Sequence, residues 1–559
     1  MRPSLAFSAA ILACLLSSAA FGTTSGPILV TAESPRQEIT DWGYDIKQRG
    51  KAAALDASLA AEVFVDDGMT LLRIPILAGR FWGRASGHPS PGEINERVYA
   101  ETIDATHRAQ AVKSDTIIFA SIKNHIRDFP NWVQYPDGSL NPRRYARLLL
   151  DLLSYMKAKR ITISVLGVDN EGAGRTSMTP AKHNAIVTRL TALCLAAEVP
   201  VPLIIAPEPY GPSTRWSNWL NRLAARGWGR SVGVAGTHYY SHERKARGRA
   251  YANLLAEFGA AAGRVPLWDS EFHWQDVGDD YSDALFGLIS AFDHFDNGFQ
   301  GLVWWNFHPE SGGTIRAQIQ TALVTSTTNA YPISVDDQDG WFLNDTKLST
   351  RAFKQGRDIV LWLLNDTTKT FTGKSIRIPG ETITPSSAPT LTRWKRSSGS
   401  VTRESGSVDV GQSDSVFPIE LPKKSITYVR IPDIYPPQVD DNVAAYSGSG
   451  WSVTRHRTDY EGTSHKSSTR GDLATYTFTG TGVQWLGSVA SNHGRAKVYI
   501  DGVLTTTWDG YSPTYATQKV KYSIAGLAQG QHTIEIEVLH TRNPRSSGFV
   551  VDVDAFYVL

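Results

Sequence analysis

Cysteine is almost absent from this chain. Its 559 residues include two, Cys14 and Cys194, and Cys14 lies in an N-terminal segment that reads as a cleaved leader. A mature protein with one thiol has no internal disulfide, so core packing alone must stabilise it. An excess of charge of either sign is also lacking. Lys and Arg number 56 against 54 Asp and Glu, a formal net charge of +2. That balance gives no basic footprint for nucleic acid and no acidic tail. No run beyond the leader reaches 18 apolar residues, so no membrane span is expected. His125, His238, His273 and His308 fall near expected strand ends, but no His-x-His or His-Glu-x-x-His spacing accompanies them. No metal and no cofactor is therefore expected. Internal repeats and low-complexity tracts are missing too.

What the chain has in quantity is tryptophan, 16 residues beside 21 Tyr. Aromatic faces stack on the apolar C–H faces of sugar rings, so this surplus fits carbohydrate binding, although large cores account for it equally well. The first 22 residues have the form of a signal peptide. Arg2 supplies the positive charge, Leu5 to Leu16 a short apolar stretch, and Ser17 to Ala20 a small-residue cleavage zone. Secretion, to the extracellular space or the periplasm, is the expectation.

Between residues 39 and 325, short apolar runs alternate with amphipathic stretches of helical period. The strand-like runs are Ile39–Tyr44, Thr70–Pro75, Thr116–Ile122, Ile161–Val168, Pro202–Ala206, Ser231–His238, Val265–Ser270 and Gly301–Asn306. Among the intervening helices, 142–159 repeats Tyr145, Leu148, Leu149, Leu152, Leu153 and Met156 on one face. Asn141 is placed as its N-cap and Pro142 at its first position. Eight such units in this length predict a (β/α)8 barrel of class α/β. A doubly wound sheet would call for a Gly-rich phosphate loop after the first strand, and none is present. Residues 326–432 change to alternating β segments such as Asp358–Leu364 and Ser425–Ile431, which predicts a side β-sandwich. The first mature strand, Pro27–Ala32 within residues 23–38, is expected to join it. Residues 433–441, with Pro436-Pro437, read as a stiff linker. Residues 442–559 read as a third, all-β unit with a hairpin turn at Asp501-Gly502.

Barrel enzymes carry their working residues at the C-terminal ends of the strands. This reading places two carboxylates there. Glu171 follows strand four in Val168-Asp169-Asn170-Glu171-Gly172, and Glu271 ends strand seven in Leu267-Trp268-Asp269-Ser270-Glu271-Phe272. Two opposed carboxylates are what a retaining glycosidase needs, one to attack the anomeric carbon and one to give and take the proton. Asn95-Glu96 is another Asn-Glu pair, but it falls at the start of a helix.

With these motifs the sequence resembles clan A glycoside hydrolases, and more specifically family 30, with family 59 as a neighbour. The resemblance implies that Glu171 is the acid/base and Glu271 the nucleophile. Leu71-Leu72-Arg73-Ile74-Pro75 is similar to the clan's strand-two segment, which implies that Arg73 contacts the nucleophile. Thr237-His238-Tyr239-Tyr240 resembles the strand-six segment, which gives His238 and Tyr240 a place in its hydrogen bonds. Gly301-Leu302-Val303-Trp304-Trp305-Asn306 looks like strand eight, which makes Trp305 the floor of the sugar site. Asn170 would bind the sugar 2-hydroxyl, and Trp132 would supply the aromatic after strand three. The family's usual Pro after the acid/base is replaced here by Gly172-Ala173-Gly174-Arg175, and strand three continues as Lys123-Asn124-His125; both departures bear on the substrate.

The roles carry physical requirements. Glu171 should have a raised pKa to stay protonated near neutral pH, and Glu271 should be held ionised by Arg73. A basic group, Arg80, Arg84, Lys123, His125 and Arg127, is expected to be solvated loop charge, with recognition of an anionic substituent as the alternative. The last unit resembles the jelly-roll modules appended to secreted polysaccharide enzymes. It offers Trp451, Trp485, Trp508, Tyr511 and Tyr515 as sugar platforms, some of them core. The expectation is thus a monomeric, secreted, retaining β-glycosidase whose partner is an oligo- or polysaccharide. A catalytically inactive carbohydrate-binding barrel, and an inverting enzyme on the same barrel, are the alternatives.

Overall fold

The computed structural model describes residues 26–31, 36–79, 85–123, 128–171, 178–241, 248–274, 279–337, 348–378, 388–409, 416–432, 438–456 and 458–558. The leader, the linker prolines, Arg80, Arg84, His125, Arg127 and Gly172 to Arg175 lie outside these residues.

A short strand, β1 (Ile28–Thr31), precedes eight strands that close into a parallel barrel. These are β2 (Asp41–Asp45), β3 (Leu71–Ile76), β4 (Ile117–Ile122), β5 (Val165–Gly167), β6 (Leu203–Pro207), β7 (Val234–Tyr240), β8 (Leu267–His273) and β9 (Gly301–Trp304). Each overlaps a run expected from the sequence. The fourth is shorter than expected because only its last residues enter the ladder. Helices fill the outside: short segments Lys51–Ala54 and Ala57–Ala61, then α1 (Glu96–Val112), α2 (Pro142–Ala158), α3 (Pro180–Ala196), α4 (Thr214–Ala225), α5 (Arg249–Ala262), α6 (Asp280–Asp296) and α7 (Ile315–Thr327). α2 begins as its sequence dictates. The Asn141 Oδ1 accepts from the backbone N–H groups of Arg143 (3.1 Å) and Arg144 (3.2 Å), with Pro142 inside the first turn.

The strand period of two builds the barrel interior in layers. Leu71, Phe119, Val165, Ile205, Val234, Trp268 and Val303 form one buried apolar cluster across the axis. Two residues further along the strands, the same inward face carries Asp45 (after Gly43), Arg73, Ser121, Gly167 and Trp305. An apolar plug therefore lies directly beneath a polar layer at the C-terminal mouth. Gly167 is required there: a Cβ would lie 2.0 Å from Glu208 Oε2.

Beyond the barrel, β1 joins a nine-stranded sheet, antiparallel to Ala330–Asp337 and parallel to Phe371–Arg377. Its strand Asp358–Asn365 is apolar without alternation because it is covered twice. Ile359, Leu361 and Leu363 face the sheet's own core, while Val360, Trp362 and Leu364 pack into the barrel's helical layer. The final unit has a seven-stranded and a three-stranded sheet around a separate core that includes Trp485. Its hairpin turns at Asp501 (φ 51°) and Gly502 (φ 77°), both left-handed as a two-residue turn of this hand needs. This unit touches both others. Arg264 at the end of α5 donates to Ser491 Oγ at 3.3 Å and the Pro513 carbonyl at 3.4 Å, and buried Lys354 of the nine-stranded sheet bonds the Tyr557 hydroxyl. Among the described residues no helix is long and apolar enough to cross a membrane.

Candidate active site

Glu271 reaches the barrel axis through a bulge. Thr237 pairs with Asp269 and His238 with Glu271, so β8 carries one more residue than β7. Simple alternation from inward-facing Trp268 would turn Ser270 inward. The extra residue shifts the phase, so that Asp269 faces α6, where its Oδ2 lies 3.1 Å from His294 Nε2, and Glu271 faces the cavity.

Both Glu271 oxygens are held. Arg73 Nη1 donates to Oε2 at 2.7 Å, and the Tyr240 hydroxyl donates to Oε1 at 2.7 Å. Lys47 Nζ stands 3.8 Å from Oε2, and His238 Nε2 3.7 Å. Burial works against charge here, but His238, Arg73, Lys47 and the Arg73 hydrogen bond together outweigh it. They hold the Glu271 carboxyl well below the usual carboxylate range. Glu271 is thus ionised.

Glu171 sits opposite, with its backbone in the left-handed region (φ 53°) and its N–H donating to the Glu208 carbonyl at 2.8 Å. For a non-glycine residue this conformation costs energy and persists only where the surroundings impose it. Its side chain is 23% exposed, against 6% for Glu271. One oxygen of each carboxylate and one nitrogen of His238 lie within 4.8 Å of one another. His238 bridges the pair, with Nδ1 3.4 Å from Glu171 Oε1. Among the described residues these three side chains could together ligate an ion. Arg73 Nη1 already occupies Glu271 Oε2, and its positive charge opposes a further cation there.

One expectation is overturned. The Glu171 pKa is lowered rather than raised: partial burial pushes it up, but the hydrogen bond and charge of His238 pull it further down. Correspondingly His238, despite full burial, has its pKa raised by Glu271 and Glu171. Both shifts come from the imidazole standing between the two carboxylates.

Arg73 is fully buried and connects the rest. Besides Glu271 it donates to Asp45 Oδ2 (2.9 Å), Glu208 Oε1 (3.1 Å), Ser121 Oγ (3.1 Å) and Asn170 Oδ1 (3.1 Å). Asn170 Oδ1 also accepts from Lys47 Nζ at 2.7 Å. Arg73 and Lys47 thus both donate to the Asn170 oxygen, which sets the orientation of its amide. Trp305 is half-buried at the mouth, with Lys123 Nζ 4.5 Å from its ring centroid, and Tyr210 stacks on Tyr240 at 5.3 Å. The structure therefore brings together Glu171, Glu271, Arg73, Asn170, His238 and Tyr240, with Trp305 beside Lys123. Trp132 is placed differently: its indole N–H donates to the His88 carbonyl at 3.0 Å and its ring packs on the barrel core. Asp45, Lys47, Ser121 and Glu208 were not anticipated. Their signal was available, since Asp45 and Glu208 are charged residues at the C-terminal ends of barrel strands.

The fold is that of solved glycoside hydrolases. A family 30 endoxylanase from Clostridium papyrosolvens C71 superposes on 73% of this chain and all of its own, with TM-score 0.53 and 18% identity. An endo-β1,6-glucanase matches 74% of this chain and 94% of its own (TM-score 0.53, 15% identity). A family 30 xylanase C from Talaromyces cellulolyticus matches 72% and 99% (TM-score 0.51, 16% identity). The barrel with its companion β-sheet thus defines a family 30-like glycoside hydrolase architecture. No protein-family model matches the chain. Two curated proteins of Flavonifractor plautii match locally. An A type blood N-acetyl-α-D-galactosamine deacetylase is 38% identical over 104 residues, 18% of this chain and 13% of the relative. An A type blood α-D-galactosamine galactosaminidase is 32% identical over 127 residues, 22% of this chain and 11% of the relative. The chain spans little more than a tenth of these relatives' lengths.

Proposed function

We propose that the protein is a secreted β-glycoside hydrolase that cleaves a polysaccharide or glycoconjugate with retention of configuration. The observation that carries this is the Glu171–Glu271 pair, with oxygens within 4.8 Å at the C-terminal ends of β5 and β8. Retaining enzymes hold their carboxyl groups about 5–5.5 Å apart, and inverting enzymes about 6.5–9.5 Å. In the first step a Glu271 oxygen bonds to the anomeric carbon while the glycosidic C–O bond breaks and Glu171 protonates the departing oxygen. In the second step Glu171 takes a proton from water, the water oxygen bonds to the anomeric carbon, and Glu271 leaves as carboxylate. The proton for the first step comes from His238, which hands it to Glu171 once a bound sugar excludes water from the site. Asn170 donates to the 2-hydroxyl, and Trp305 supports the ring.

The neighbouring folds belong to xylanases and a β1,6-glucanase, so aryl β-xylosides and β-glucosides are the first substrates to examine. The test is Glu171→Ala. It should slow substrates with poor leaving groups far more than activated aryl glycosides, and added azide should restore turnover and yield a β-glycosyl azide. Equal losses for all leaving groups, with no azide product, would remove Glu171 from the acid/base role.

A further inference from the structure

The left-handed backbone of Glu171 needs a restraint, and a neighbouring turn supplies it. Glu171 donates its N–H to the Glu208 carbonyl at 2.8 Å, and Glu208 is itself left-handed, at φ 48°. That conformation is doubly unfavourable for Glu208. It carries a side chain, and it precedes Pro209, which drives the residue before it toward extended backbone. Backbone bonds tie this turn to β7 as well. The Glu208 N–H donates to the Gly236 carbonyl at 3.0 Å, and the His238 N–H donates to the Pro209 carbonyl at 2.9 Å. Residues 208 and 209 thus join the backbone of Glu171 to that of the histidine standing between the two carboxylates.

The Glu208 side chain is the anchor of the turn. It has no exposure, its Oε1 accepts from Arg73 Nη2 at 3.1 Å, and Ser121 Oγ lies 3.4 Å from both of its oxygens. Glycine on both flanking strands leaves room for it. A Cβ at Gly167 of β5 would lie 2.0 Å from Glu208 Oε2, and one at Gly236 of β7 would lie 3.3 Å from its Cγ. Charge balance for Arg73 does not by itself call for this residue, since Asp45 pairs with the same guanidinium at 2.9 Å. Asp45 lies on β2, which does not adjoin β5, whereas Glu208 bonds the acid/base directly through its backbone.

From this we infer that Glu208 is a positioning residue, whose carboxylate, clamped by Arg73, fixes the turn that sets the direction of Glu171. Being fully buried, it touches no substrate itself. The same guanidinium donates to Glu271 Oε2 at 2.7 Å. Arg73 therefore holds both members of the pair, Glu271 directly and Glu171 through Glu208, and so fixes the spacing between them.

This inference rests on the acid/base and nucleophile roles proposed above. The unaltered full-length chain, Glu208→Ala and Glu208→Gln would be compared on aryl β-glycosides of graded leaving-group ability and on the matching β-glycosyl fluoride. The ratio kcat/KM reports the steps up to departure of the leaving group, where only poor leaving groups need the proton from Glu171. Misplacing a reacting group by about 1 Å costs about 100-fold. For Glu208→Ala, kcat/KM should thus fall about 10- to 100-fold more on poor leaving groups than on the fluoride. On the most activated glycoside its kcat and KM should fall together, because the water step also uses Glu171. Loss on the fluoride measures any disturbance of Glu271 through Arg73. Glu208→Gln keeps the volume and an acceptor for Arg73 but not the charge, so it should fold and show the same bias, smaller in size. Melting curves verify the fold of each variant. Losses equal across all leaving groups and the fluoride, or no loss in either variant, would overturn the role of Glu208. No turnover of any aryl glycoside or fluoride by the unaltered chain would instead overturn the glycosidase reading itself.

Discussion

Replacing Arg73 with methionine removes the cation on which three buried carboxylates converge. Asp45, Glu208 and Glu271 each lie within 3.1 Å of its guanidinium, and its side chain has no exposure. Breaking one buried pair by deleting a partner costs about 3–5 kcal/mol, because the remaining charge is left buried and uncompensated. Lys47, 3.8 Å from Glu271, offsets only part of this. At about 2–4 °C per kcal/mol for a domain of 150–250 residues, the barrel's melting transition should fall by about 6–20 °C. The sign of the pH dependence follows from Glu271. Its folded pKa is depressed, so the stability it gains from Arg73 is present above its ordinary value of 4.5 and is lost as pH falls through the folded pKa. The stability gap between Arg73→Met and the unaltered protein should therefore narrow in acid. The acid limb of kcat/KM, which reports ionisation of Glu271, should move to higher pH. Thermal melts by near-ultraviolet circular dichroism from pH 3 to 8, beside pH–rate profiles, give both readouts. An unchanged melting temperature together with an unchanged acid limb would refute the role assigned to Arg73.

Two further outcomes follow from single contacts. Lys47→Met removes the 2.7 Å donor to Asn170 Oδ1, so kcat/KM should drop about tenfold or more, the worth of a charged hydrogen bond. A 2-deoxy glycoside, which has no 2-hydroxyl for Asn170 to read, should lose much less; equal losses on both substrates would mean that Lys47 acts elsewhere. In the C-terminal unit, burial and the nearby charge of Asp459 raise the Asp554 pKa from 3.8 to about 9. Its contribution to stability is full below 3.8 and is lost as pH rises toward 9. Asp554→Asn should flatten the decline of that unit's melting temperature between pH 4 and 9, and a slope identical to that of the unaltered chain would contradict the shift.

The parts of the molecule that follow from local rules were legible in the sequence. Apolar runs gave the barrel strands, and Asn141-Pro142 gave the start of α2. The strand-end motifs pointed to Glu171, Glu271, Arg73, Asn170, His238 and Tyr240, which the structure gathers in one cavity. What was not legible depends on contacts between distant segments. The bulge at Ser270 alters which residue of β8 faces inward, and alternation alone would have chosen wrongly. The lowered Glu171 pKa arises from His238, two strands away in the barrel and 67 positions along the chain, as does the raised pKa of that histidine. Lys47 lies two residues past its strand, where a lone charge reads as a solvated loop residue until its partners are known. Trp485 and Trp305 are indistinguishable as letters. One is sealed under the C-terminal sheets and the other stands at the barrel mouth.

The most direct test of the central claim is the identity of the residue that bonds to sugar. The protein would be incubated with an activated 2-deoxy-2-fluoro β-glycoside of whichever glycone it turns over, since the fluorine slows both formation and release of the covalent intermediate while the good leaving group keeps formation fast enough for it to accumulate. Peptide mass spectrometry should then find the fluoroglycosyl group as an ester on Glu271, and Glu271→Gln should acquire no label. Label on another carboxylate, or turnover of the parent substrate with no covalent adduct at any residue, would contradict the account.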